Sequence, residues 1–187
     1  MKKAVFFDRD GVLTEAIVKN GKAFAPRSME ELRIVPGARS VLENLAGKGF
    51  VIIVVTNQPD IARKKMERAV LDQMNRELVS QMGGEKTIQE ILVCPHDDSD
   101  HCECRKPKPG MLFQAQKRWD LDLPNSFLVG DREVDMKAGR AAQCKTILIN
   151  APYNQDVRAG YRAENLMQAC HWISLLPVAS SNRRGRP

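Results

Sequence analysis

Apolar residues recur along this chain in short unbroken runs, separated by longer segments in which they are spaced for a helix. Ala4-Val5-Phe6-Phe7 is the first run, and it ends at Asp8 as a central parallel strand does. Phe50 to Val55 is rich in β-branched residues, which predicts a strand buried on both faces. Ile88 to Val93, Ser126 to Val129 and Thr146 to Ile149 predict three more strands. Between the runs, helical spacing predicts helices over Ala38 to Ala46, Met66 to Met82, Pro109 to Trp119, Glu133 to Ala142 and Glu164 to Leu175. Gly47 and Gly49 stop the first helix, Gly83-Gly84 the second, and Pro109 stands in the first turn of the third. Ile17 to Phe24 breaks the alternation. Its Lys19-Asn20-Gly21-Lys22 sets Asn-Gly between apolar positions, the signature of a tight hairpin.

Strands alternating with helices predict an α/β fold: a doubly wound, mostly parallel sheet with helices on both faces. No long insertion follows the hairpin or the second strand, so no large cap domain is expected, and the hairpin is the one evident lid. The 187 residues show neither a repeat nor an interdomain linker. They are read as a single domain over 1–178 and a basic tail over 179–187 that carries three arginines.

In such a sheet the ligand sits at the carboxyl ends of the strands. The polar residues there are Asp8 and Asp10, Thr56 and Asn57, Cys94 and His96, and Asp131 and Asp135. Four converging carboxylates repel one another unless a cation lies among them, and an oxygen-only donor set suits Mg²⁺. A carboxylate can also attack phosphorus as a nucleophile, and a neighbouring acid can protonate the leaving oxygen. Charge developing on a transferred phosphoryl group needs cations and hydroxyl donors; Lys106, Arg105 and Thr56 are candidates. An Asp-x-Asp-Gly run alone is as often a polar turn or a calcium loop. What lifts it above that is the ordered set DRDGV, TNQ, RKPKPG and GDREVD.

On those four segments the chain resembles the haloacid dehalogenase (HAD) superfamily of phosphohydrolases, over nearly its whole length. Within it, the chain is similar to the heptose 1,7-bisphosphate phosphatases and their kin, the histidinol-phosphate phosphatases. The resemblance implies that Asp8 is the nucleophile that forms an aspartyl-phosphate and that Asp10 is the proton donor and later the base. It implies Mg²⁺ held by Asp8, the Asp10 carbonyl and Asp131, with Asp135 supporting from behind. Thr56 and Lys106 are then the phosphoryl stabilisers, and Asn57, Arg105 and Arg132 hold substrate. The implied reaction removes the C7 phosphate of the heptose bisphosphate, on the way to ADP-heptose and the lipopolysaccharide core. Two departures stand out: Pro59-Asp60 and Lys64 occupy places where relatives often carry Ser-Gly and Gly, and Val12 stands where many have Thr.

Cys94, His96, Cys102 and Cys104 form the pattern Cys-x-His-x5-Cys-x-Cys. Three sulfurs and an imidazole suit a closed, tetrahedral, structural Zn²⁺, with His101 as an alternative ligand. The loop precedes Arg105-Lys106, so pinning it would fix where those cations point. The heptose and histidinol phosphatases carry zinc here, so the loop favours that branch. Cys144 and Cys170 read as buried apolar residues.

Charge and composition add less. A net charge of +6 favours anionic partners, sugar phosphate and nucleic acid alike. Only 5% of residues are aromatic, too few for the stacking platforms of single-strand binding. A small phosphorylated sugar is therefore the expected partner, with no nucleic acid; a 3′-end phosphatase is the weaker reading. A zinc-stabilised binding module would need a broken acidic set, and this one is intact. No run is long enough to span a bilayer, and the apolar start ends at Asp8, short of a signal sequence. A cytoplasmic monomer without membrane contact is the expectation.

Overall fold

The computed structural model describes residues 1–175. The expected basic tail lies outside the described residues. A six-stranded sheet runs in the order β5-β4-β1-β6-β7-β8, formed by β1 (Ala4–Phe7), β4 (Val51–Asn57), β5 (Glu90–Cys94), β6 (Phe127–Gly130), β7 (Lys145–Ile149) and β8 (Tyr161–Ala163). Every neighbouring pair is parallel, so the sheet is wholly parallel and not merely mostly so. Strand β8 was not expected; its three residues are too few to show a period of two.

Alternate residues of the central strands face opposite layers. Val5 and Phe7 of β1 join Ile52 and Val54 of β4 beneath α1 (Ala38–Gly47) and α5 (Leu166–Leu175). Ala4 and Phe6 join Val51, Ile53 and Val55 against α3 (Gly110–Trp119) and α4 (Glu133–Ala141). All four β1 side chains are fully buried, as both-face coverage demands. Helix α2 (Arg68–Gln81) sends Leu78 and Met82 just beyond it into the first core, while Leu71 and Met74 form a smaller cluster with Leu32 and Met66. It begins two residues later than expected, because the chain up to Met66 is turned back on Asp60 by hydrogen bonds from the Lys65 and Met66 amides. Gly47 closes α1 from within; the reversal falls at Gly49, where φ is +87°.

Strands β2 (Ile17–Lys19) and β3 (Lys22–Phe24) form the expected hairpin. Asn20 and Gly21 both have positive φ, 50° and 70°, as a two-residue primed turn requires. Strand β1 lies where the order reverses, between β4 and β6, so the loops after these strands diverge and open a crevice at their carboxyl ends. The two remaining cysteines are buried in the two cores, Cys170 in the first and Cys144 in the second. Burial pushes each thiol up to about 12, which removes them from thiolate chemistry.

Candidate active site and metal centres

Asp8 leaves β1 at the crevice, and its backbone N–H still bonds the Val129 carbonyl of β6. Asp131 and Asp135 follow β6, the second in the first turn of α4, where its Oδ2 accepts from the Arg132 amide. One oxygen from each of Asp8, Asp131 and Asp135 lies within 4.8 Å of the others. Lys106 reaches two of the same carboxylates with its side chain buried. Its Nζ lies 3.0 Å from Asp8 and 2.6 Å from Asp135, and donates to the Val55 carbonyl at 2.8 Å.

A single ammonium does not balance three buried carboxylates. Burial and the neighbouring charges of Asp8 and Asp135 raise Asp131 to about 8, and burial chiefly raises Asp8 to about 6 against the pull of Lys106. Asp131 is wholly buried; Tyr153 donates to its Oδ2 at 2.6 Å, while its Oδ1 has no partner among the described residues. An orphaned anionic oxygen beside two further carboxylates is a donor set that fits a hard divalent cation. Gly11 makes room for this packing: a Cβ there would stand 2.3 Å from Asp131 Oδ2, and its φ is +90°. Asn154 fixes the loop by donating to the carbonyls of Asp131 and Ile149.

Asp10 has a different environment. Arg9 grips both its oxygens, Nε to Oδ1 at 2.9 Å and Nη2 to Oδ2 at 3.0 Å. Thr14 adds a donor to Oδ1 and Gln58 one to Oδ2. Despite its burial, Asp10 stays below the usual carboxylate range, held there first by the Arg9 charge and then by these hydrogen bonds. Gln58 also donates to Thr56 Oγ1 at 2.8 Å, leaving the Thr56 hydroxyl hydrogen without an acceptor among the described residues.

Asp8, Asp10, Thr56, Asn57, Arg105, Lys106 and Arg132 all line one cavity of about 600 Å³ beneath the hairpin, together with Phe24, Arg27, Asp60 and Arg63. The structure therefore gathers the residues expected there, while redistributing some of their contacts. Both ends of the Asn57 amide are taken by the Lys106 backbone, so Asn57 holds the lysine. Arg132 Nη2 donates to the Ala23 carbonyl of the hairpin at 2.8 Å. Arg105 donates to Asp98 at 2.7 Å and to the His96 carbonyl at 3.2 Å, so the Cys/His loop directs it. Arg9 and Gln58 lie inside the DRDGV and TNQ segments but were given no role from sequence, and Tyr153 and Asn154 lie outside all four segments.

The second cluster unites Cys94, His96, Cys102 and Cys104 and excludes His101. Sulfur–sulfur separations are 3.6 and 3.5 Å, and His96 Nδ1 lies 3.6 and 3.3 Å from the sulfurs of Cys94 and Cys104. A tetrahedral zinc with ordinary bond lengths sets such edges at roughly 3.5–3.8 Å, so the four donors fit a metal ion. Beside this loop, Arg63 bridges to Asp97, and Arg27 reaches Asp60 at 2.5 Å. Lys64 takes a left-handed φ of 55°, a conformation that glycine adopts at lower cost.

Comparison with known proteins bears on this geometry. A HAD-hydrolase-like family model matches residues 103–152, which span Lys106, Asp131 and Asp135. The D-glycero-β-D-manno-heptose-1,7-bisphosphate 7-phosphatase of Pseudomonas aeruginosa is 36% identical over 79% of this chain and 81% of its own. The chain belongs to this phosphatase family. Its Pasteurella multocida member is 33% identical over 89% of this chain and 94% of its own. A Campylobacter jejuni relative named for the α anomer is 33% identical over 84% of this chain and 86% of its own. Among solved structures, the D,D-heptose 1,7-bisphosphate phosphatase of Bordetella bronchiseptica, complexed with magnesium and phosphate, superposes with a TM-score of 0.79. It is 27% identical, over 91% of this chain and 97% of that one. Pro59-Asp60 and Lys64 thus sit in a segment held by its own ion pairs, within a family whose fold the chain shares.

Proposed function

We propose that this protein is a magnesium-dependent phosphatase that removes the C7 phosphate of a D-glycero-D-manno-heptose 1,7-bisphosphate in the route to ADP-heptose and the lipopolysaccharide core. The observation that carries the reading is the trio Asp8, Asp131 and Asp135, with Lys106 paired to the first and the last, in a chain 36% identical to a named heptose bisphosphatase. Asp8, Asp131 and the Asp10 carbonyl would hold the magnesium, with Asp135 behind them; bound there, it would neutralise the carboxylates and the incoming phosphate. Four cysteine and histidine donors would hold one structural zinc. A cytoplasmic monomer, with residues 1–178 as one catalytic domain, goes with this reading; among the described residues no helix is long and apolar enough to cross a membrane.

Asp8 attacks phosphorus, forming a new P–O bond as the bond to the sugar oxygen breaks. Lys106 and the free Thr56 hydroxyl hydrogen face the charge that develops on the phosphoryl oxygens. Arg9 and the hydrogen bonds from Gln58 and Thr14 keep Asp10 ionised, the form that accepts a proton from water when the aspartyl-phosphate is hydrolysed. A phosphate dianion entering beside it raises its proton affinity, which is what donation to the sugar oxygen requires. Arg105 and Arg132, fixed by the Cys/His loop and the hairpin, face the rest of the substrate.

The test is phosphate release with Mg²⁺ from both anomers of heptose 1,7-bisphosphate, from histidinol phosphate and from a 3′-phosphorylated oligonucleotide. Rapid release from the heptose alone is expected, abolished by Asp8→Asn. Comparable feeble rates on all substrates would defeat the assignment, and turnover by Asp8→Asn would remove Asp8 from its role.

A further inference from the structure

We infer that Arg9 is a positioning residue for the acid–base group: it acts on the reaction through Asp10 and not on the substrate. The residue lies between Asp8 and Asp10, yet its side chain is fully buried, the largest such side chain in the described protein. A guanidinium with no path to water needs protein partners, and here each of its three nitrogens has one. Nε and Nη2 take the two oxygens of Asp10 in a forked pair, and Nη1 donates to Asn75 Oδ1 of α2 at 2.9 Å. A forked pair fixes the carboxylate plane as well as its distance. Asn75 ties the fork to a helix, so the orientation of Asp10 is referred to the α2 scaffold and not only to the loop that carries it.

Neither Arg9 nor Asn75 lines the cavity. Arg9 has no exposed surface to offer a substrate, so a kinetic effect of this side chain passes through a neighbour. The cavity-facing neighbour that Arg9 grips with its side chain is Asp10. The second donor on each Asp10 oxygen, Thr14 on Oδ1 and Gln58 on Oδ2, holds the plane from the other side but carries no charge. Small errors in aiming a general acid cost large factors in rate, so the fork bears directly on turnover.

The test compares Arg9→Met, Asp10→Asn and the double variant, using heptose 1,7-bisphosphate and p-nitrophenyl phosphate. The first leaving group needs a proton and the second does not. If Arg9 works through Asp10, Arg9→Met lowers kcat on the sugar by about 10²-fold with KM within about twofold. It keeps the first-turnover burst of p-nitrophenol, and in the Asp10→Asn background it costs nothing further. Losses that multiply in the double variant, or a burst lost as fully as sugar turnover, overturn the proposal. Arg9→Met alone leaves a buried carboxylate unpaired, and its folding is checked by circular dichroism. The double variant removes both charges of the pair, which proteins tolerate far better. Should only the double variant fold, its rate against Asp10→Asn decides: equal rates support the assignment, and a further tenfold loss refutes it. A double variant that is also unfolded makes Arg9 purely structural and refutes it too. The inference rests on the phosphatase reading; wild-type protein inert on both substrates defeats that reading, whereas active wild type with multiplying losses defeats the Arg9 assignment alone.

Discussion

Replacing Lys106 by Met keeps most of the buried stem and deletes the ammonium. That atom serves Asp8 at 3.0 Å and Asp135 at 2.6 Å, and also caps the Val55 carbonyl. Removing one partner of a buried pair costs about 3–5 kcal/mol, and here two carboxylates lose the same cation, so the upper part of that range is expected at neutral pH without magnesium. Part of the loss is recoverable with acid. Lys106 is what draws Asp8 down towards about 6 against its burial, so without it the folded-state pKa climbs further from the unfolded value near 3.8. A group with a raised folded pKa destabilises as pH climbs above the unfolded value, because the folded state then holds protons that the unfolded state releases. The deficit of Lys106→Met should therefore fall to about half at pH 5 and be largest at pH 8. Urea unfolding followed by circular dichroism at pH 5, 7 and 8, with magnesium dialysed away, reads it directly. A deficit under about 1 kcal/mol at pH 7, or one equal at pH 5 and 8, would refute the view that this ammonium compensates the carboxylates. With magnesium restored, kcat should drop by roughly 10²–10³-fold, as expected for losing a principal stabiliser of transition-state charge.

The wild-type protein should show the same sign without its metal. Asp131 at about 8 and Asp8 at about 6 both exceed the unfolded value, so melting temperature should fall between pH 5 and 8, and added Mg²⁺ should raise it more at pH 8. Differential scanning fluorimetry checks this, and a melting temperature that rises with pH when magnesium is absent would contradict it. Elemental analysis should find one zinc per chain, and stripping it with a chelator should lower kcat at least about tenfold even with magnesium replaced, because the loop aims Arg105 and precedes Lys106. Full activity in zinc-free protein would show that the loop does not govern those cations.

Much of this site could be read from the chain because its parts fall at strand ends. Asp8, Thr56 and Asp131 each follow or close an apolar run, and parallel topology brings such ends to one edge. The Cys/His cluster was equally legible as a group, since three thiols and an imidazole fall within eleven residues. What escaped was the packing around those atoms. Arg9 stands inside the DRDGV run, yet nothing in that run shows that its side chain is fully buried in the fold. Tyr153 and Asn154 reach Asp131 from a segment more than twenty residues away, with no pattern to announce it. Asn57 lines the cavity, as expected of a residue near substrate, and its amide also matches a backbone N–H and C=O pair, a partnership visible only once Lys106 lies alongside. Strand β8 adds backbone pairing at the sheet edge and too little side-chain pattern to be seen.

The bond from Arg132 to the Ala23 carbonyl gives the flap a hinge-pin located on the loop that also presents Asp131. A hairpin that lifted would break that bond and free a guanidinium whose Nε stands 3.9 Å from the Asp131 carboxylate. Entrance and ion well thus share one mechanical part. A wider doorway would loosen a cation that stands beside the carboxylate meant for the ion, so admission and charge balance would move together.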